Sequence, residues 1–108
     1  MTQHTDLAQG RWQTMTLAEQ LGNAGSEFGR AVKAQKLNDN SRFEGAAERF
    51  IELINLTVAD PRWRGRRRQE LARVKEAGGE ALYGQDLAQA ESLEKYFFQF
   101  ALLARSKR

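Results

Sequence analysis

Cysteine is absent from this 108-residue sequence, and histidine and proline occur only once each. Without cysteine the chain has no disulfide, no Cys-ligated zinc, no iron–sulfur cluster and no thiol nucleophile. The single histidine, His4, cannot build a His-rich metal site, and its polar N-terminal surroundings are poorly suited to a Ser–His–Asp arrangement. We therefore expect neither a metal nor a cofactor.

Long apolar runs are missing as well. No stretch approaches the roughly 20 apolar residues that a membrane-spanning helix needs. Residues 1–15 contain no apolar core of the kind that a signal peptide has. We therefore expect a cytoplasmic protein that makes no contact with a membrane.

Signatures of catalysis are also missing. No glycine-rich phosphate loop follows a predicted strand, and no Glu-x-x-His pair exists for a di-metal site in a helical bundle. The nearest pair of carboxylates, Glu48 and Glu52, shares one helix face, which is typical of a solvated stripe or of partners for arginine. We expect a protein that is not an enzyme and has no small-molecule substrate.

Helix-forming residues dominate what is present. Ala, Leu, Glu, Gln and Arg are frequent, and apolar residues recur at helical spacing in four segments. Such amphipathic segments with short connections predict an all-α fold, a four-helix up-down bundle that forms a single domain over 1–108. The helices are expected at about 17–35, 41–59 and 61–83 and after Gly84, with residues 1–13 as a loose N-terminal arm.

Local signals predict where the first three helices begin. Thr16 and Ser41 each precede a glutamate three residues further on, which is the spacing of a capping box. Asp60 followed by Pro61 is typical of a helix cap and the first helical position. The third helix is therefore expected to start at Pro61.

Glycines in the second half of the chain predict where helices weaken or end. Gly78 and Gly79 are expected to break or soften the third helix, and Gly84 to end it. Either Asp86 or Ser92 can cap the fourth helix.

Three glycines, Gly22, Gly25 and Gly29, share one face of the first predicted helix. Each glycine inside a helix costs about 1 kcal/mol relative to alanine, so a stripe of three indicates a close approach by another backbone. Two interpretations are open: the stripe packs against another helix of the same bundle, or it packs against a second subunit.

Arginine is concentrated in the segment 62–68, RWRGRRR. The first 60 residues hold six basic and eight acidic side chains, a net charge of −2, whereas residues 61–108 hold eleven and six, a net charge of +5. Cations are unfavourable near a helix N-terminus. Acidic side chains of the second helix could offset them, or an external polyanion or acidic partner could.

The distribution of these cations bears on what they contact. On a helix starting at Pro61, the candidate contact residues fall on two flanks: Arg62, Arg66 and Arg73 on one, and Arg64, Arg68 and Lys75 on the other. A helix that reads base edges in a DNA groove would present one contiguous face. The split favours contacts to phosphates or salt bridges to a protein partner.

Four residues near the start of this segment are expected to be structural. Arg67 falls on the apolar face, where a buried guanidinium needs a partner such as Asp60 or a glutamate of the second helix. Trp63 is expected to anchor the core at the helix entry, with stacking on a nucleic-acid base as the functional alternative. Asp60 and Pro61 are expected to shape the turn that precedes Trp63 and Arg67.

Phe98 and Leu102 lie one turn apart on the far side of the fourth predicted helix. With Phe97 and Phe100 they leave this helix apolar around much of its circumference. Isolated apolar residues are common on surfaces, but this pattern also fits a contact beyond the monomer core. We expect a homo-oligomer whose candidate contacts are Phe98, Leu102 and the glycine stripe.

Three stretches of the chain resemble a set of short, uncharacterised bacterial helical-bundle proteins. They are 17–27 (LAEQLGNAGSE), 56–66 (LTVADPRWRGR) and 93–101 (LEKYFFQFA), of which the Asp-Pro-Arg-Trp run is the most specific. The resemblance implies a fold and carries no mechanism, and the sequence departs from it near Gly78. In architecture alone, the chain is similar to four-helix-bundle accessory proteins of retroelements and to the ribosomal intervening-sequence family, which are linked to oligomerisation and to nucleic-acid or polymerase partners.

Two functions remain in view. The leading interpretation is a non-enzymatic accessory bundle that self-associates, binds a protein partner, or does both. The alternative is a bundle that binds RNA or DNA by contacting phosphates through the arginine segment.

Overall fold

Four helices of similar length make up most of the structure. The computed structural model describes residues 10–106, and a 3₁₀ turn at Trp12–Thr14 precedes the first helix. The helices are α1 (Leu17–Lys36), α2 (Asn40–Ala59), α3 (Arg66–Tyr83) and α4 (Leu87–Ser106). The described residues contain no strand, so the predicted all-α fold class is confirmed.

Neighbouring helices run antiparallel. Along α1 and α4, Gly22 faces Ala101 whereas Gly29 faces Glu94, so residue numbers rise on one helix as they fall on the other. The same reversal relates α1 to α2 and α2 to α3. Consecutive helices pack side by side and α4 returns to α1, which gives the up-down bundle that the sequence predicts.

Three phenylalanines from three helices meet at the centre of the core. The rings of Phe28, Phe50 and Phe97 have centroids 5.1 to 5.7 Å apart, in edge-on or tilted contact. Gly78 faces this cluster, where an added Cβ would lie 2.7 Å from the Phe50 ring. The expectation that Gly78 and Gly79 break the third helix is wrong: α3 is continuous through both, because packing against the cluster offsets the low helix propensity of glycine.

The beginnings of the first two helices test the predicted caps. Thr16 caps α1 and forms the predicted capping box with Glu19. At α2 the cap is Asp39, whose carboxylate accepts a hydrogen bond from the backbone N–H of Arg42. The capping box predicted at Ser41 is wrong, because Asp39 starts the helix two residues earlier.

The third helix starts later than the Asp-Pro pair predicts. Asp60 follows the last residue of α2, and α3 begins only at Arg66, after a loop that includes Pro61. Gly65 precedes the helix with a φ of 58°, in the left-handed region that favours glycine. The predicted start at Pro61 is wrong, because the carboxylate of Asp60 bonds partners outside α3 instead of capping it.

The fourth helix is capped by Asp86, whose carboxylate accepts a hydrogen bond from the backbone N–H of Gln89 at 3.1 Å. This observation decides between Asp86 and Ser92 in favour of the first. Gly84 follows the last residue of α3, as predicted.

Trp12 belongs to the core. Its side chain is buried, and the indole N–H donates a hydrogen bond of 3.1 Å to the hydroxyl of Thr57 on α2. The expectation of a loose arm is therefore wrong at Trp12, because a long-range contact with α2 holds this residue. The earlier part of that arm, residues 1–9 with His4, lies outside the described residues.

Candidate functional site

A buried polar cluster fixes the chain between α2 and α3, where the arginine run begins. The fully buried carboxylate of Asp60 accepts hydrogen bonds from the backbone and guanidinium of Arg62 and from the amide of Gln20. The closest approach, from Arg62 Nη2 to Asp60 Oδ2, is 2.8 Å. Hydrogen bonding from Arg62 lowers the pKa of Asp60 from 3.8 to about 2, against the opposing effect of burial. The ion pair is therefore part of the folded state.

Gln20 and Trp63 complete this cluster. The amide oxygen of Gln20 accepts a hydrogen bond from the indole N–H of Trp63, and its nitrogen donates to the carbonyl of Trp12. The guanidinium carbon of Arg62 lies 4.5 Å from the centroid of the Trp63 ring, a cation–π arrangement. Trp63 is half-buried and held from two sides, which fits the anchor expected from the sequence.

Arg62 consequently leaves the set of candidate contact residues. Its guanidinium donates hydrogen bonds to Asp60 and to the carbonyl of Met15, and it also lies over the Trp63 ring. Neither Arg62 nor Arg64 lies on α3, so the two flanks predicted for a helix starting at Pro61 are wrong at these positions. Arg64 is exposed and donates a hydrogen bond to the carbonyl of Pro61.

The cations of α3 itself keep their predicted arrangement. Arg66 and Arg73 are seven residues apart on one flank, and Arg68 and Lys75 are seven apart on the other. Within residues 10–106 none of these four forms a salt bridge. Acidic side chains of α2 therefore do not pair with them, as one interpretation of the sequence supposed.

Arg67 is exposed, and the expectation that it forms a buried ion pair is wrong. The residue does lie on the apolar face of α3, but in the first turn, at the end of the bundle. There it borders an open recess with Leu17 of α1 and with Phe100 and Leu103 of α4. Asp60, its predicted partner, pairs with Arg62 instead.

The glycine stripe packs inside the bundle, between α1 and α4. A Cβ at Gly22 would lie 3.2 Å from the Cα of Ala101, and one at Gly25 would lie 2.3 Å from the Cβ of Phe97. Gly29 lies more loosely, with Glu94 at ordinary contact distance. Of the two interpretations of the stripe, the structure therefore supports close packing of two helices of one chain.

An open groove of about 670 Å³ runs along the outer side of this α1–α4 contact. Small residues form much of its floor, which lowers the surface towards the backbone. Charged side chains stand at its two ends, Glu94 and Lys95 at one and Glu19 and Arg105 at the other. We call this feature the α1–α4 groove. Between these ends the groove is lined by Gly22, Gly25, Ser26, Phe97, Phe98 and Ala101.

The outward face of α4 is apolar beside the groove. Phe98 is 56% exposed and Leu102 is 47% exposed, which confirms that both lie away from the core. Leu103 is exposed as well, but successive residues of a helix lie about 100° apart, so it is on another side of α4, where it lines the recess that contains Arg67. The sequence interpretation did not name it. We call Phe98 and Leu102 the α4 strip.

One titratable group of the groove is shifted. The pKa of Glu94 is raised by its partial burial against α1, with Glu91 contributing in the same direction and Lys36 opposing it. Glu94 and the α4 strip thus lie on the same helix, beside the open α1–α4 groove.

Neither a cluster of metal-ligating side chains nor a membrane-spanning helix occurs in the part of the chain that is described. Across residues 10–106, no three side chains of the metal-ligating types come together. None of α1 to α4 has the length and apolar character needed to cross a membrane.

Comparison with protein-family models, with curated proteins and with solved structures finds no match for this chain. The resemblance to short bacterial helical-bundle proteins therefore stays a prediction.

Proposed function

We propose that this protein is a non-enzymatic accessory bundle that self-associates through the outward face of α4. The observation that carries the proposal is the α4 strip: large apolar side chains that stay exposed next to a groove. Contiguous exposed apolar surface is typical of sites where proteins associate. Burying it removes apolar area from water, worth about 25 cal/mol for each Å².

The small number of fully buried residues on α4 supports this proposal. Only Ala90 and Phe97 of α4 are buried, whereas α1 buries eight of its residues. Leu93, Tyr96 and Phe100 of α4 pack against the core and are partly buried, so α4 is apolar on its core face and, at Phe98 and Leu102, on its outward face as well. The charged ends of the groove add polar contacts around that face, as at the rims of known interfaces.

A pair of matched substitutions tests the proposal. Phe98→Glu places a charge in the α4 strip, and we expect it to lower the molecular mass measured by light scattering from that of an oligomer to that of the monomer. Leu37→Glu is the control, because Leu37 is 65% exposed but lies at the turn between α1 and α2. An equal effect of both substitutions on the mass would contradict the proposal.

Binding to RNA or DNA through the arginine segment is the second candidate function. The observation in its favour is that the α3 cations form no salt bridge within residues 10–106. Two of them, Arg66 and Arg68, also lie in the first turn of a helix whose cap, Gly65, provides no side-chain hydrogen bond. Phosphate groups favour such positions, since free backbone N–H groups and the helix dipole attract anions.

The dependence of binding on salt tests this second candidate. If Arg66 and Arg73 contact phosphates, replacing both with alanine should reduce the slope of log K against log salt by about two. Lys33 and Lys36, which lie together at the end of α1, provide a control of equal charge. A mixed-sequence RNA and a duplex DNA serve as probes. If both double variants change the slope equally, only net charge matters and the arginines have no specific role.

A further inference from the structure

The antiparallel arrangement of the helices collects positive charge at one end of the bundle. The starts of α1 and α3 and the ends of α2 and α4 lie together there. When each helix is divided at its midpoint, this half of the molecule comprises 10–26, 50–74 and 97–106. It holds eight basic and four acidic side chains, a net charge of +4, whereas 27–49 and 75–96 hold seven and nine, a net charge of −2. We call the first half the basic end.

The two halves also differ in which cation they use. All eight basic side chains of the basic end are arginines, and the lysines within residues 10–106 all belong to the other half: Lys33, Lys36, Lys75 and Lys95. The planar guanidinium of arginine can bond two phosphate oxygens at once, whereas the ammonium of lysine acts as a point charge. The basic end therefore carries the side chain best suited to phosphate groups.

Salt bridges separate the arginines in the same way. Every arginine of the other half forms a salt bridge with a carboxylate of that half, and these are Arg30, Arg42 and Arg49. In the basic end, Arg62 alone forms one within residues 10–106. The seven other arginines there are exposed. The positive charge of this end is therefore largely left to the solvent side of the bundle.

The four carboxylates of the basic end do not offset these arginines by pairing with them. Asp60 is buried and pairs with Arg62. Glu70 accepts a hydrogen bond from the hydroxyl of Tyr96, and Glu19 belongs to the capping box of α1. Glu52 is the fourth. The net charge of +4 already includes all of them.

Arg67 and Arg105 extend the basic end from α3 onto α4. Arg67 borders the recess beside α4, and Arg105 borders the α1–α4 groove. The recess and the groove share Glu19 and Ala104, so the two arginines lie around the same pair of residues. Folding thus brings Arg105 to the cations of the arginine segment, from which it is distant in sequence.

We propose that the basic end binds the phosphodiester backbone of a nucleic acid, with Arg67 and Arg105 among the contacts. This inference rests on the nucleic-acid binding given above as the second candidate function. It extends the contact surface to α4 and excludes the cations of α3 and α4 that lie in the other half, Lys75 and Lys95. Contacts to the backbone are common to RNA and DNA, and they weaken as salt increases.

A matched pair of double variants tests the inference. Arg67→Gln with Arg105→Gln removes one cation from α3 and one from α4 in the basic end. Lys75→Gln with Lys95→Gln removes the same charge from the same two helices in the other half. Fluorescence anisotropy measures binding to a mixed-sequence single-stranded RNA and to a duplex DNA, and circular dichroism checks that both variants stay folded.

We expect the arginine pair to reduce the slope of log K against log salt by about one for each residue, and the lysine pair to leave it unchanged. A reduction with either probe supports the inference, and the probe that shows it identifies the source of the phosphates. Equal reductions by the two pairs, or a larger one by the lysine pair, would overturn it.

Failure of this inference can be told apart from failure of the function on which it rests. If the natural chain binds neither probe at low salt, both are overturned. If it binds and neither glutamine pair changes the slope, the basic end is not the contact surface. In that case the variant lacking Arg66 and Arg73 decides whether the arginine segment binds without α4.

Discussion

The side chain of Asp60 links three parts of the chain that are distant in sequence. Its carboxylate accepts hydrogen bonds from Gln20 on α1 and from Arg62 in the loop that leads to α3, while its backbone N–H donates to the carbonyl of Thr57 at the end of α2. A buried carboxylate is tolerated only when its oxygens are satisfied, and here each oxygen accepts at least two hydrogen bonds. This residue therefore determines how the arginine segment leaves the bundle.

Substituting this carboxylate should lower stability markedly. Asp60→Asn keeps the shape of the side chain but removes its negative charge. One carboxylate oxygen becomes an N–H₂ group, which cannot accept the hydrogen bonds that Gln20 and Arg62 donate. We expect a loss of about 2–3 kcal/mol in the free energy of unfolding, the size of a hydrogen bond to a charged group. Urea unfolding measures it. Arg67→Ala, at an exposed position with no salt bridge in residues 10–106, should cost less than about 0.5 kcal/mol. Equal losses would contradict this assignment.

The same carboxylate predicts how stability depends on pH. The pKa of Asp60 is lowered to about 2 in the folded protein, so the folded state binds its proton more weakly than the unfolded chain does. Its contribution to stability is complete above the ordinary pKa of 3.8 and is lost as the pH falls towards 2. The difference in unfolding free energy between the natural chain and Asp60→Asn should therefore shrink over this range. A difference that stays constant would contradict the prediction.

For single residues, exposure could be predicted from the sequence, whereas distant hydrogen-bond partners could not. The exposure of Phe98 and Leu102 could be predicted, because helical periodicity alone separates them from the core face. The partners of Asp60 could not, since Gln20 lies 40 positions away and nothing near Asp60 identifies it. Trp12 escaped prediction for the same reason.

At the scale of the helix, two adjacent glycines in α3 have opposite surroundings. A Cβ at Gly78 would lie 2.7 Å from the Phe50 ring, whereas one at Gly79 would meet nothing within 4 Å. Both residues have ordinary helical backbone, since neither has a positive φ. Steric contact alone distinguishes them, so they form a matched pair within one turn.

Replacing each with alanine should therefore change stability in opposite directions. Gly79→Ala should stabilise the protein by about 0.5–1 kcal/mol, the difference in helix propensity. Gly78→Ala gains the same propensity but forces the Phe50 ring to move in a packed core, which costs about 1–3 kcal/mol. Thermal unfolding of both variants measures the balance. If both raise the melting temperature, the packing of α3 on α2 is looser than the structure indicates.

Helix positions were largely predictable, and helix starts were predictable only where the cap acts locally. The box of Thr16 and Glu19 lies within one turn, so the sequence contains all of it. The Asp60–Pro61 pair has the same local appearance, but tertiary hydrogen bonds take its carboxylate and delay α3 to Arg66. Arg67 was misplaced as a consequence, since the later start puts it at the end of the bundle.

For the molecule as a whole, two groups of side chains remain exposed to solvent after folding. The α3 cations form no salt bridge within residues 10–106, and the α4 strip is exposed beside the groove. Composition placed the excess of positive charge in the second half but left open whether acidic side chains of the second helix pair with it. The groove could not be predicted, because it depends on how closely the glycines of α1 let α4 approach.

The mass of the unmodified protein in solution tests the central claim most directly. If the α4 strip is an association surface, light scattering at micromolar concentration should give a mass that rises with concentration towards about twice the 12.3 kDa of one chain. Burial of this strip between copies is the reason for the rise. A mass that stays at 12.3 kDa over the whole concentration range would contradict the account.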